Sequence, residues 1–126
     1  MKYDLVYLAV GALLGVYLRY KITGNPLFLG SLPVSVLLVN VIGSLILGMS
    51  STTVSNLGLD ERYTLLVGIG FCGSFTTMSS FAFETVSMID VGKFATAAAD
   101  IILNVGASLG AILLGRAAMS LLLGLG

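Results

Sequence analysis

The sequence predicts an all-α membrane protein of four transmembrane helices, with a break in the third and two copies paired antiparallel. Three observations carry that prediction. First, 57% of the 126 residues are apolar and only 10% are charged, whereas a soluble domain is about a quarter charged, so too few charges exist to coat a water-soluble globule. Second, four predominantly apolar stretches approach or exceed the roughly 20 residues that a helix needs to cross a bilayer. Third, six Lys and Arg are cancelled by six Asp and Glu, and the balance holds across the connecting loops as well. The same composition excludes other classes. With no histidine, one cysteine and no basic run, nucleic-acid binding, histidine- or cysteine-based metal chemistry and a disulfide framework all lack support.

The spans fall at about 4–20, 33–51, 63–89 and 94–125, which makes residues 1–126 a single four-helix transmembrane domain. Helices are the expected element because they satisfy their own backbone groups in lipid, where open strands cannot. The first span resembles a signal sequence in length, but Asp4 interrupts its start, Arg19 ends it and three comparable spans follow. It is therefore expected to stay in the mature chain. The connectors carry turn chemistry: Lys21-Ile22-Thr23-Gly24-Asn25-Pro26, then Asn56-Leu57-Gly58-Leu59-Asp60-Glu61-Arg62, then Asp90-Val91-Gly92-Lys93.

Assigned alternately to the two membrane faces, the loops put Lys2 and Arg62 on one side, joined by Arg116 if the last helix ends early. Arg19, Lys21 and Lys93 lie on the other. Positive charge orients a membrane protein by its asymmetry, so this balance permits insertion in both orientations followed by antiparallel pairing. Gly11 with Gly15, and Gly106 with Gly110, are each one turn apart and allow close helix approach, within one subunit or between two.

Polar atoms single out the third span. Gly70-Phe71-Cys72-Gly73-Ser74-Phe75-Thr76-Thr77-Met78-Ser79-Ser80-Phe81 places two glycines and five hydroxyls inside a segment that should be lipid-like. Isolated hydroxyls bond back to the preceding helical turn; a cluster this dense favours a broken helix whose freed groups line a site. Thr77, Ser80, Phe81 and Glu84 then share one face. Phe81 is either plain packing or a positive ring edge that can contact an anion. Glu84 is either a functional intramembrane carboxylate or a side chain that snorkels to an aqueous vestibule. Asn40, seven residues into the second span, either donates to an anion or ties two helices together. Arg19 ends the first span, where it can snorkel or hold an anion. Cys72 reads as a packed residue. In the last span Asn104 and Ser108 form a polar stripe, with Asp100 nearer the membrane edge.

These residues resemble the Fluc/CrcB fluoride-channel family over the full length. The resemblance rests on Gly15 with Arg19 and Tyr20, on Asn40-Val41-Ile42-Gly43-Ser44 with Gly48, and above all on the Gly-x-x-Gly-x-x-Thr-Thr-x-Ser-Ser-Phe spacing from Gly70 to Phe81. It implies an antiparallel, dual-topology homodimer in a prokaryotic plasma or inner membrane, with two anion pores and a structural sodium ion. It further implies that the backbone carbonyls of Gly73 and Thr76 hold the sodium, that Asn40, Thr77, Met78, Ser79, Ser80, Phe81 and Ser108 line the fluoride path, and that Arg19 and Glu84 lie in its vestibules. Two positions depart from the family: Met78 stands where it usually has Phe, and Val36 where it has Thr, with Ser35 beside it facing about 100° away.

The function that the resemblance implies is passive fluoride export, giving fluoride resistance without enzymatic chemistry. A narrow neutral pore suits that task, because weak donors and aromatic edges replace the ion's water without trapping it. Two rivals are a non-conducting partner subunit, suggested by Met78, and a proton-coupled small multidrug exporter. The exporter wants a deeply buried carboxylate and aromatic walls; Glu84 is peripheral in its span and tryptophan is absent.

Overall fold

The computed structural model describes residues 3–125, so Lys2, one of the charges assigned to the first face, lies outside the described residues. Helix α1 (Asp4–Thr23) has 20 residues, a length of about 30 Å that matches the hydrocarbon core. Its buried residues are Gly11 and Gly15. A Cβ on Gly11 would collide with the Leu66 carbonyl oxygen, and one on Gly15 with that of Phe71, so this pair serves packing within the chain.

A short hairpin follows, a departure from the purely helical expectation. Strands β1 (Phe28–Leu29) and β2 (Leu32–Pro33) pair antiparallel, with Phe28 opposite Pro33 and Leu29 opposite Leu32. Gly30 makes the turn possible: its φ of 63° lies in the left-handed region that a two-residue hairpin loop demands. Hydrogen bonds fix the hairpin to its surroundings, from the Leu27 N–H to Ser35 Oγ at 2.7 Å and between the Ser31 and Thr96 hydroxyls at 3.3 Å.

Helix α2 (Ser35–Leu57) runs past residue 51, where hydropathy placed its end. Polar residues stay helical there because their side chains bond back onto the helix: Ser51 donates to the Gly48 carbonyl, Thr53 to Met49 and Asn56 to Thr52. Gly58, with φ 59°, then terminates it in the left-handed conformation common at helix ends.

The third span, Glu61–Asp90, is bent and composite. It starts as α3 (Glu61–Tyr63), capped by the Asp60 carboxylate on the Arg62 N–H at 2.9 Å. It widens into a π-helix over Thr64–Cys72, tightens into α4 (Gly73–Phe75), unwinds at Thr76 and Thr77, and resumes as α5 (Met78–Asp90). A π-helix of nine residues is unusual, since most are single-turn bulges. Its wide turns meet the small face of α1, and Gly70 lies near the Leu8 carbonyl, which a built Cβ would approach to 2.8 Å.

Helix α6 (Phe94–Leu122) packs chiefly along α2. The contact is backbone on backbone, since a Cβ on Gly48 would strike the Ile112 carbonyl and one on Gly115 the Leu45 carbonyl. Gly106 and Gly110 differ: a Cβ on either meets nothing within 4 Å. Four long apolar helices, with large side chains such as Leu13, Ile102 and Leu114 turned outward, make this a multi-pass membrane protein.

Candidate functional site

The break in the third span is the centre of the site. Thr76 (ψ 157°) and Thr77 (φ −150°) are extended; the Thr76 N–H still donates to the Cys72 carbonyl at 3.0 Å, but the Thr76 carbonyl and the Thr77 N–H leave the helical ladder inside a membrane span. Such groups need partners, and side chains from two other helices provide them. Asn40 on α2 is bidentate: its Oδ1 accepts from the Thr77 N–H at 2.8 Å, and its Nδ2 donates to the Thr77 carbonyl at 3.3 Å. Arg19 at the end of α1 donates from Nη1 to the Thr76 carbonyl at 3.2 Å. The Thr76 hydroxyl turns back onto the Cys72 carbonyl at 2.8 Å. Thr77 caps α5, its hydroxyl accepting from the Ser80 N–H at 3.2 Å and donating to Ser80 Oγ at 3.0 Å.

Beside the break lies an open groove of about 450 Å³ between α2, the third span and α6. Of the eleven residues assigned to the fluoride path, its vestibules or the sodium ion, it brings together seven: Asn40, Gly73, Thr76, Thr77, Met78, Phe81 and Ser108. The other four stand outside its lining. Ser79 is exposed and Ser80 half-buried at the start of α5, both near the Thr77 hydroxyl, which lies 3.4 Å from Ser79 Oγ. Glu84 is half-buried further along α5, with Oε2 buried and lacking a protein partner. Arg19 approaches the break from the α1 side. Met78 is 72% exposed on the groove wall, whereas Phe81 is buried.

Most of the groove surface is apolar, so its few polar atoms decide what it can do. Ser108 Oγ is buried without a protein partner, a hydroxyl able to serve a bound ion. Both Asn40 amide hydrogens are engaged, one by the Thr77 carbonyl and one by Asn104 Oδ1 at 3.0 Å. As an anion donor Asn40 must give up one of these bonds; as a tie between helices it is already complete. Gly43 permits the close fit, since a Cβ there would strike the Thr76 methyl.

Sequence reasoning missed the continuation of this polar chain. Asp100, expected near the membrane edge, is 0% exposed. Its carboxylate accepts from Asn104 Nδ2 at 2.8 Å and from the Thr85 hydroxyl at 2.7 Å. The spacing Asp100-x-x-x-Asn104 was visible as one helix face, but the partners on α2 and α5 were not.

A protein-family model described as CrcB-like protein, Camphor Resistance (CrcB), matches residues 6–116. Three similar proteins, each described as a fluoride-specific ion channel FluC, come from Nitrosopumilus maritimus, a Sulfurihydrogenibium species and Methanocaldococcus jannaschii. The first is 48% identical over 93% of both chains. The second is 43% identical over 80% of this chain and 84% of its own, and the third 36% identical over 90% and 91%.

Proposed function

The chain belongs to the CrcB/FluC fluoride-channel family, and on that premise we propose that it gives fluoride a passive exit across the membrane, as an ion channel and not an enzyme. The observation that carries this reading is the groove itself: one apolar cleft gathers the broken backbone, Asn40, Phe81 and the unpartnered Ser108 hydroxyl. Neutral donors and an aromatic edge suit a strongly hydrated small anion, because each contact is weak enough to release it. In the proposed path Asn40, Thr77, Met78, Ser79, Ser80, Phe81 and Ser108 line the route, with Arg19 and Glu84 at its approaches.

An open groove on one chain also supports assembly. Two copies in opposite orientation would each close the other's exposed face and give two separate pores, in keeping with balanced loop charge. Gly73 and Thr76 suit a structural sodium ion between the copies. Carbonyl oxygens are hard ligands fitted to such a cation, the Thr76 carbonyl lies in unwound backbone, and Gly73 leaves open space where a Cβ would find only Gly68 O at 4.0 Å. Arg19 takes one lone pair of the Thr76 oxygen and leaves a second. Bound there, sodium would supply positive charge at the centre of the assembly.

Purified protein in fluoride-loaded liposomes tests the function. Fluoride efflux read by an ion-selective electrode, with chloride-loaded vesicles silent, is the expected result. Silence for both ions overturns the homomeric channel and favours the non-conducting subunit. Met78→Phe is expected to retain efflux and to change its rate by several-fold at most, since the exposed thioether and a ring fill the same wall. Efflux that appears only in Met78→Phe would assign the wild-type chain to the non-conducting class.

A further inference from the structure

Asp100 takes no part in the proposed fluoride path, yet it is the most completely buried charged side chain among the described residues. An acidic residue fully buried in a membrane-spanning helix is costly and calls for a role. From its hydrogen bonds we infer that Asp100 is a positioning residue, which through Asn104 and Asn40 sets the geometry of the break at Thr77. The inference rests on the channel reading for its consequence, but not for its structural content.

The argument is one of direction. An amide side chain has a donor end and an acceptor end, so a chain of amides has a polarity, and its termini fix which way it runs. At one terminus the Thr77 backbone N–H can only donate, so Asn40 presents Oδ1 to it, at 2.8 Å. Asn40 Nδ2 therefore faces Asn104 and donates to its Oδ1 at 3.0 Å. Asn104 Nδ2 must then point away from Asn40, where it donates to Asp100 Oδ1 at 2.8 Å and to the Asp100 carbonyl at 3.2 Å. Asp100 is the acceptor on which the relay ends, and both termini demand the same orientation of both amides. Without the carboxylate Asn104 Nδ2 keeps only the longer bond to the main-chain carbonyl of residue 100, at 3.2 Å, so its amide is held less firmly and the orientation it imposes on Asn40 at the break is loosened.

Thr85 separates this relay from simple cross-linking. Its hydroxyl has one hydrogen and two acceptors in reach, Asp100 Oδ2 at 2.7 Å and the Phe81 carbonyl at 2.9 Å. Asn at position 100 keeps the acceptor toward Asn104 and brings its own donor to Thr85, which then donates to Phe81. Asp100→Asn therefore preserves the relay, and Thr85→Val removes the contacts to Oδ2 and to the Phe81 carbonyl while leaving Asp100 Oδ1, Asn104 and Asn40 in place.

The test uses the full-length chain in liposomes, together with NMR of protein carrying ¹⁵N in its asparagine side chains. Asp100→Leu and Asn104→Leu are each expected to slow fluoride efflux per reconstituted protein on the order of tenfold or more, the effect of leaving buried amide hydrogens without acceptors. Asp100→Asn and Thr85→Val should stay within about twofold of wild type. The double variant Asp100→Leu/Asn104→Leu should be no slower than the slower single one, as members of one relay are not additive. In Asp100→Leu the side-chain NH₂ resonances of Asn40, which does not touch Asp100, are expected to shift. Additive losses, a Thr85→Val defect equal to that of Asp100→Leu, or unmoved Asn40 resonances overturn the inference. Should Asp100→Leu fail to fold, Asp100→Ala takes its place in every comparison, and wild-type efflux or unmoved Asn40 resonances in that variant overturn the inference equally. A wild-type chain that conducts nothing ends the channel reading, while the Asn40 resonances still read the relay.

Discussion

Replacing Asn40 with Leu is expected to remove measurable fluoride efflux and to lower the thermal stability of the protein in detergent. Leu matches Asn roughly in size but supplies no polar atom. The Thr77 N–H and carbonyl and the Asn104 amide oxygen would each lose the partner that Asn40 provides. A buried polar group left unsatisfied costs about 1–3 kcal/mol, so even partial relaxation leaves a loss that is large beside a net stability of about 5–15 kcal/mol. Asn40→Asp separates the two roles of this residue. The carboxylate still accepts from Thr77 N–H, but both donations are gone and acceptors face acceptors at Thr77 and Asn104. Added negative charge beside the groove also opposes an anion. Efflux is therefore expected to disappear in Asn40→Asp too, with a fall in stability at least as large as in Asn40→Leu, because an uncompensated charge in a membrane span costs more than an unsatisfied neutral group. Wild-type efflux in either variant would show that Asn40 serves neither the ion nor the break.

The second large effect concerns the α2–α6 contact. Gly48→Ala and Gly115→Ala each place a methyl group against backbone, the Ile112 and Leu45 carbonyls respectively. No rotamer change relieves a collision with backbone, so the two helices must separate along the line that holds Asn40 to Asn104. Overpacking typically costs about 1–3 kcal/mol, and here the upper end is expected because both helices are long and rigid. Thermal unfolding followed by size-exclusion chromatography in detergent should show loss of the single folded peak in each variant. The double variant should cost less than the sum, because the first methyl already opens the shared contact. Gly106→Ala is the control. Nothing in this chain lies within 4 Å of the added atom, so a change beyond about 0.5 kcal/mol there would mean that a second copy covers that face. Unchanged stability in Gly48→Ala would contradict the packing described for α2 and α6.

The legible parts of this molecule were those written in neighbouring residues. Hydropathy located four spans, and the density of hydroxyls from Ser74 to Ser80 announced that the third helix would break. The i, i+3, i+4, i+7 spacing put Thr77 and Phe81 at the groove, but Ser80 and Glu84 fell outside its lining because Thr77 is extended and outside the helix; Asn40 was singled out as an amide inside a span. What stayed hidden depends on partners far away along the chain. Asn40 and Asn104 are separated by 64 positions, Arg19 and Thr76 by 57, and no local pattern encodes such a pairing. Asp100 lies toward the start of the last helix, as its position in the sequence says, but its complete burial beneath Thr85 and Asn104 could not be read from that position. The π-helix was equally silent, since apolar residues and two glycines read as ordinary helix until the fit against α1 is seen. The hairpin at Gly30 sits in a run of Leu, Phe and Pro whose only turn signal is Gly-Ser.

The wide separation of Arg19 from its acceptor bears on how the protein is made. A ribosome adds about 5–20 residues per second, so α1 exists for roughly 3–11 s before Thr76 has been synthesised. Asn40 waits about 2–7 s for Thr77 by the same rate, and Asn104 arrives later still. During that interval the nascent helices carry their guanidinium and amide without these partners, at the membrane surface or against the insertion machinery. Assembly of the broken helix is thus among the last events of biogenesis. The contacts that hold the break open, from Arg19, Asn40 and Asn104, become complete only when the last helix has been made.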